Sequence, residues 1–340
     1  MTDPGPGTGL SIRGLTKTFA DLKAVDDLSF EVSPGRVTGF LGPNGAGKTT
    51  TLRMLLGLIR PTAGEALIGG QRYVELDRPL ETVGSALEAT GFHPGRSGRD
   101  HLRVLAATHG ISDRRVDELL ELVGIPAAAR KRAGEYSMGM RQRLNLAAAL
   151  LGDPHVLILD EPANGLDPEG IRWMRGFLQH LAGDEGKTVL ISSHLLSEVE
   201  QTAEDVIIIA NGHLVRRGTM EEMHGDPAAL VRTSDTARLS QALARAGFPS
   251  EPGDGPDALR VFSGDLHQVG EIALAAGLPV HELRVLRTDL ERLFLTLTES
   301  PEHANRNRGA TSLSTGPHPP PPPSQAPPTD LSTHEGEATR

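Results

Sequence analysis

Apolar positions gather in short runs along the first two thirds of the chain. Val37–Leu41, Val156–Leu159 and Thr188–Ile191 have the length and composition of buried strands. Between them the spacing changes. Lys48–Ile59 reads as a helix after a glycine-rich turn, and in a mostly helical stretch over 98–152 Val116, Leu119, Leu120 and Val123 fall at helical spacing. Strands alternating with helices predict a parallel sheet. Val206–Ile209, Asn211-Gly212 and His213–Arg217 predict a hairpin that closes this first domain, 1–220.

Residues 221–300 predict a separate, small α+β unit. Three helix patterns follow short strand patterns, with starts near Asp235, Asp265 and Asp289. In the last, Leu290, Leu293, Phe294 and Leu297 sit at i, i+3, i+4 and i+7. The unit carries no chemical motif and reads as a packing or regulatory appendage. From Pro301 the periodicity fades, and 301–340 reads as an extended or disordered tail, with eight prolines in the twelve residues Pro317–Pro328.

Composition narrows the classes. With 38% apolar and 23% charged residues among 340, the chain can build cores, and its length suggests two domains. The longest purely apolar runs, such as Val206–Ala210, fall far short of the ~20 residues of a membrane-spanning helix, so no bilayer crossing is expected. Met1–Leu10 has neither the basic start nor the apolar core of a secretory signal. The absence of cysteine excludes disulfides, thiol catalysis and cysteine-ligated metals. A soluble, cytoplasmic protein is expected. The net charge of −10 argues against broad capture of nucleic acid but not against a phosphate site built from backbone N–H groups.

Such a site is written into the chain. Gly42-Pro43-Asn44-Gly45-Ala46-Gly47-Lys48-Thr49 fits G-x-x-x-x-G-K-[ST], with a predicted strand before it and a predicted helix after. Glycines let the backbone close around phosphates, and the helix N-terminus adds partial positive charge. Lys48 is expected to reach the β- and γ-phosphates of a nucleotide, and Thr49 to offer its hydroxyl to Mg²⁺. Downstream, Val156–Leu159 leads into Asp160-Glu161. Val156–Glu161 is expected to be a buried strand ending in these two carboxylates, which as strand neighbours point to opposite sides and can take different jobs. Asp160 is expected to hold Mg²⁺, and Glu161 to polarise the attacking water as general base.

Further motifs follow in one order, and together they resemble the ATP-binding cassette (ABC) family. Tyr136-Ser137-Met138-Gly139-Met140-Arg141-Gln142 resembles the family's signature, Asn164-Gly165-Leu166-Asp167 its D-loop, and Ser192-Ser193-His194 its switch histidine. Phe19, 23 residues before Gly42, matches the aromatic that stacks on adenine. The resemblance implies a P-loop NTPase cassette of α/β class: a parallel-sheet core, an antiparallel β part and a helical subdomain at 98–152. It implies ATP and Mg²⁺ as ligands, bound by Phe19, Gly42, Asn44, Gly45, Ala46, Gly47, Lys48, Thr49 and Thr50, with His194 sensing the γ-phosphate. It also implies a head-to-tail homodimer in the ATP-bound state, in which Ser137 and Gly139 meet the other subunit's nucleotide and Asp167 lies at the interface.

Two departures stand out. Met138 and Met140 replace a glycine and a glutamine of the signature, and Glu88 stands where the family offers a glutamine to Mg²⁺ and the water. The layout is similar to single-cassette ATPases of the daunorubicin-resistance and lantibiotic-export type, which pair with a separately encoded polytopic membrane permease. That implies a peripheral subunit on the cytoplasmic face of the membrane. The alternatives are a soluble ABC ATPase acting on ribosomes or nucleic acid, and a phosphate-loop kinase. The first lacks its expected second cassette, coiled-coil insertion or zinc cysteines here, and the second leaves the signature and His194 without a reason.

Overall fold

The computed structural model describes residues 7–87, 91–225, 227–286 and Phe294. The chain opens with strands β1 (Leu10–Phe19), β2 (Leu22–Val32) and β3 (Val37–Leu41), helix α1 (Lys48–Leu55) and strand β4 (Ala63–Ile68). A single turn, α2 (Pro79–Thr82), enters β5 (Val83–Ala86), followed by the helices α3 (Gly98–Ala107), α4 (Asp113–Leu122) and α5 (Met138–Ala149). Then come β6 (Val156–Asp160), α6 (Pro168–Gly183), β7 (Thr188–Ser193), α7 (Leu196–Glu200), β8 (Asp205–Ala210), β9 (His213–Thr219) and α8 (Met220–His224). The C-terminal part runs β10 (Ala228–Thr233), α9 (Thr236–Arg245), β11 (Ser250–Pro252), β12 (Ala258–Val261), α10 (Leu266–Ala275) and β13 (Val280–Leu286).

The main sheet has the order β5-β6-β7-β3-β8-β9, parallel except for the last strand. Its short apolar runs are unbroken because both faces are covered. Val37, Leu157, Leu159, Val189, Ile191, Val206 and Ile208 pack into a core shared with α3–α6. The alternate residues Phe40, Val156, Ile158, Leu190, Ile207 and Ile209 pack into a second core with α1 and the antiparallel sheet β2-β1-β4. The pleat therefore sorts every other side chain to a different layer. The hairpin between β8 and β9 turns at Asn211 and Gly212, both with positive φ, as a right-twisted two-residue turn requires.

α1 is shorter than its apolar spacing predicts, ending at Leu55 rather than Ile59. Gly57 takes φ +68, its N–H bonds Met54 O at 3.1 Å, and Leu58 N–H reaches back to Arg53 O at 2.9 Å. That paired closure satisfies the last carbonyls and terminates the helix.

The C-terminal strands form an antiparallel sheet, β11-β12-β10-β13, with α9 and α10 packed on one face. Ala229, Val231, Leu239, Leu243, Val261 and Val269 make its core. Asp235 and Asp265 cap α9 and α10, accepting from Arg238 N (2.9 Å) and Gln268 N (3.1 Å). Of the third expected helix only Phe294 is described; it is helical and buried with Met220 and Met223 in the first core, and the remainder, like 301–340, lies outside the described residues.

Candidate functional site

The loop Gly42–Thr49 joins the C-terminal end of β3 to the first turn of α1. It is tight in two places. A Cβ on Gly42 would stand 2.6 Å from Ile209 O, and one on Gly47, at φ +104, 2.5 Å from Ala24 O. No side chain fits at either position, so only glycine lets the loop close this tightly against Ile209 and Ala24. Ala46 is buried and its carbonyl accepts Gly212 N–H at 3.0 Å, while Asn44 and Gly45 are exposed and Thr50 half-buried. The Lys48 ammonium is buried, donating to Gly42 O at 2.7 Å and Pro43 O at 3.4 Å, with Glu161 Oε1 3.5 Å away. Burial lowers its pKa, against the opposing pull of the Glu161 and Asp160 carboxylates.

Asp160 ends β6 on the face that the pleat assigns to α1, and Thr49 Oγ1 donates to its Oδ2 at 2.7 Å. Glu161 departs from the expected arrangement: it is not on the strand at all. The chain turns at φ +50, a left-handed conformation that costs a non-glycine residue ~1–3 kcal/mol. The turn, rather than strand alternation, separates the two carboxylates. Glu161 Oε2 lies 2.7 Å from His194 Nδ1, so Nδ1 carries the hydrogen and Nε2 is left for another partner. Ser192 Oγ donates to Asp160 Oδ1 and accepts the Glu161 N–H at 3.0 Å. Lys48, Thr49, Asp160, Glu161 and His194 thus meet at the C-terminal ends of β3, β6 and β7.

Ser137 caps α5, accepting Met140 N at 3.3 Å, and Asp167 caps α6, accepting Gly170 N at 2.8 Å. These two helix starts touch: a Cβ on Gly165 would lie 3.2 Å from Met138 Cγ, and one on Gly139 3.6 Å from Leu166 Cδ2. Among the described residues no hydrogen bond or ion pair joins Ser137, Gly139 or Asp167 to the cluster around Lys48. Phe19, at the end of β1, is 44% exposed with Lys17 Nζ 4.9 Å above its ring, so it is no core residue. Glu88 lies outside the described residues.

The donor set fits a nucleotide with a hard cation. Thr49 Oγ1 and Asp160 Oδ2 are adjacent oxygens beside a phosphate cradle, and Mg²⁺ bound with phosphates takes one or two protein oxygens rather than a full protein cage. No cluster of three or more His, Asp or Glu able to hold a metal occurs among the described residues. Sequence reasoning named Ser192 and Gly212 only as parts of a loop motif and a hairpin turn and missed their contacts with the site. Gly212 accepts Asp26 N–H and donates to the loop at Ala46, both at 3.0 Å, and only the register of distant strands reveals either contact.

A family model described as ABC transporter matches residues 25–164, and a domain family of unknown function matches 227–291. The chain is 47% identical to the bacitracin transport ATP-binding protein of Bacillus licheniformis, over 59% of this chain and 66% of that protein. It is 33% identical to a daunorubicin resistance ATP-binding protein of Streptomyces coeruleorubidus, over 86% of this chain and 96% of the relative. Among solved structures, an ATP-binding subunit of an ABC transporter superposes with TM-score 0.57 at 27% identity, covering 63% of this chain and 91% of that one. An ATP-binding cassette dimer bound to ADP and phosphate shares the fold, with TM-score 0.57 at 22% identity over 62% of this chain and 99% of its own. No helix among the described residues is long and apolar enough to cross a membrane. With 35% identity over 87% of its length to an ABC transporter ATP-binding protein of Bacillus subtilis, 99% of which is covered, the chain belongs to the ABC transporter ATP-binding proteins, a family of ATPase subunits.

Proposed function

We propose that this chain powers an exporter of drug- or antibiotic-like compounds, acting with a separately encoded polytopic permease from the cytoplasmic face of the membrane. The relatives named for bacitracin transport, daunorubicin resistance and lantibiotic transport support the export reading. The observation that carries the chemistry is the cluster of Lys48, Thr49, Asp160, Glu161 and His194 against a loop too tight for side chains.

In this reading Lys48 gives up its carbonyl contacts and its pairing with Glu161 to the β- and γ-phosphates of ATP. Thr49 and Asp160, with Glu88, hold Mg²⁺, which when bound neutralises phosphate charge. Glu161 accepts a proton from the attacking water, and His194, with both ring nitrogens protonated, orients that carboxylate through Nδ1–H while its Nε2–H donates to the γ-phosphate. Asn44, Gly45, Ala46, Gly47 and Thr50 complete the cradle with Gly42. Ser137 and Gly139, at the start of α5, meet the γ-phosphate held by a second copy, and Asp167 shapes the facing loop. Two ATP then close a homodimer, and hydrolysis reopens it. We divide the chain into a cassette of 1–220, an accessory unit of 221–300 and a tail. The accessory unit has its own core, although Met220, Met223 and Phe294 pack into that of the cassette.

Phe19→Ala is expected to raise KM for ATP about 5- to 100-fold with kcat little changed, the effect of losing one base–aromatic stack. An unchanged KM in steady-state phosphate release removes Phe19 from the adenine site. For the partner, tagged Glu161→Gln protein with ATP and Mg²⁺ is applied to detergent-solubilised membranes of its own host. A polytopic membrane protein is expected to co-purify in an ATP-sensitive manner. Recovery of only soluble protein, ribosomes or nucleic acid overturns the transporter reading.

A further inference from the structure

Ser192 holds both acidic residues of the site, and no nucleotide role falls to it. It is the next-to-last residue of β7, fully buried, and pairs in register with Asp160 across β6 and β7. Its hydroxyl donates to Asp160 Oδ1 and accepts the Glu161 N–H at 3.0 Å; the same N–H lies 3.2 Å from the Ser192 carbonyl. Asp160 Oδ2 is thereby left to Thr49 Oγ1. The neighbouring Ser193 faces away, donating to Glu198 at 2.8 Å.

A hydroxyl can donate and accept at once, which a methyl group cannot. Here the donated bond fixes which carboxylate oxygen of Asp160 turns to α1. The accepted bond pins the amide of the residue that turns the chain at φ +50. From that turn the Glu161 side chain reaches His194 Nδ1 at 2.7 Å and lies 3.5 Å from Lys48 Nζ. A shift of the amide swings the carboxylate at its far end, where a misplacement of ~1 Å is costly in rate.

We propose that Ser192 is a positioning residue for ATP hydrolysis: through Asp160 Oδ1 and the Glu161 N–H it aims the Glu161 carboxylate, without touching the nucleotide. The proposal rests on the reading of Glu161 as general base.

Ser192→Thr and Ser192→Val present the same shape and differ only in the hydroxyl, and Ser192→Ala removes the hydroxyl without adding volume. In the full-length protein, kcat, KM for ATP, equilibrium binding of a fluorescent ATP analogue and thermal melting are compared. Ala and Val are expected to lower kcat about 10- to 100-fold, the worth of a hydrogen bond to a charged group, with KM and analogue affinity within about threefold. Thr recovers most of the loss. On a Glu161→Gln background, followed by single-turnover cleavage of labelled ATP, Ser192→Ala costs less than about threefold more, because the group it acts through is already gone. An unchanged kcat for Ala, equal kcat for Thr and Val where both fold, or a full-sized loss on the Glu161→Gln background overturns the proposal. So does a lowered melting temperature accompanied by equal losses in kcat and analogue affinity. A near wild-type rate for Glu161→Gln alone overturns the base reading first and this proposal with it, so the single variant tells the two failures apart.

Discussion

Glu161→Gln is expected to slow ATP turnover by about 10²–10⁴-fold while ATP still binds, the usual share of a general base. The substitution is nearly isosteric. Its amide oxygen can still accept from His194, and the turn at φ +50 is set by the backbone and by Ser192, not by the charge. What is lost is the capacity to take a proton from water. The change also removes the anion 3.5 Å from Lys48, which releases the ammonium for phosphate and keeps affinity at or above its original value. Phosphate release, retention of labelled ATP and elution volume with ATP and Mg²⁺ check the three consequences together. The expected protein is slow, loaded and dimeric. Turnover near the wild-type rate assigns the base elsewhere, and slow turnover with lost binding makes Glu161 a structural member of the loop instead.

What the sequence makes legible follows from the range of the interactions involved. The phosphate loop, the strands β3, β6, β7 and β8 and the caps at Asp235 and Asp265 are local patterns, and each appears where its residues predict. β1 and β2 do not announce themselves in the same way. Their pairing shifts register between Ile12 and Leu15, Leu15 and Lys17, and Lys17 and Thr18, and each irregularity breaks the period-two alternation that marks a strand. The turn at Glu161 was illegible for another reason. Nothing in Leu159-Asp160-Glu161-Pro162 requires positive φ; the bonds to Ser192, 31 residues away, hold it there. Ser192 itself looks like any serine near a strand end. Its role depends on the register between β6 and β7, a property of two segments at once.

Gly84→Ala is expected to be among the most destabilising single-methyl changes in the cassette, costing about 3 kcal/mol or more. Gly84 lies on β5, the edge of the main sheet, where the C-terminal end of α5 presses onto it. An added Cβ would stand 2.0 Å from Ala149 O and 2.8 Å from Pro154 Cγ. The first is backbone, so no rotamer relieves the clash; either β5 peels from its single partner β6 or α5 lifts. Gly176, within α6 with nothing within 4 Å of its Cβ position, is the matched control. There the same methyl should stabilise by about 0.5–1 kcal/mol, since alanine loses less freedom in a helix. Urea melts of the two variants should therefore move in opposite directions, and a Gly84→Ala midpoint equal to the parent's would refute the close approach of helix and strand. The consequence extends to the site, because the helix that would lift carries Ser137 and Gly139 at its other end. If the proposed roles of the Lys48 loop and of the α5 start are right, residual folded Gly84→Ala protein should keep its ATP affinity and lose ATP-dependent dimerisation.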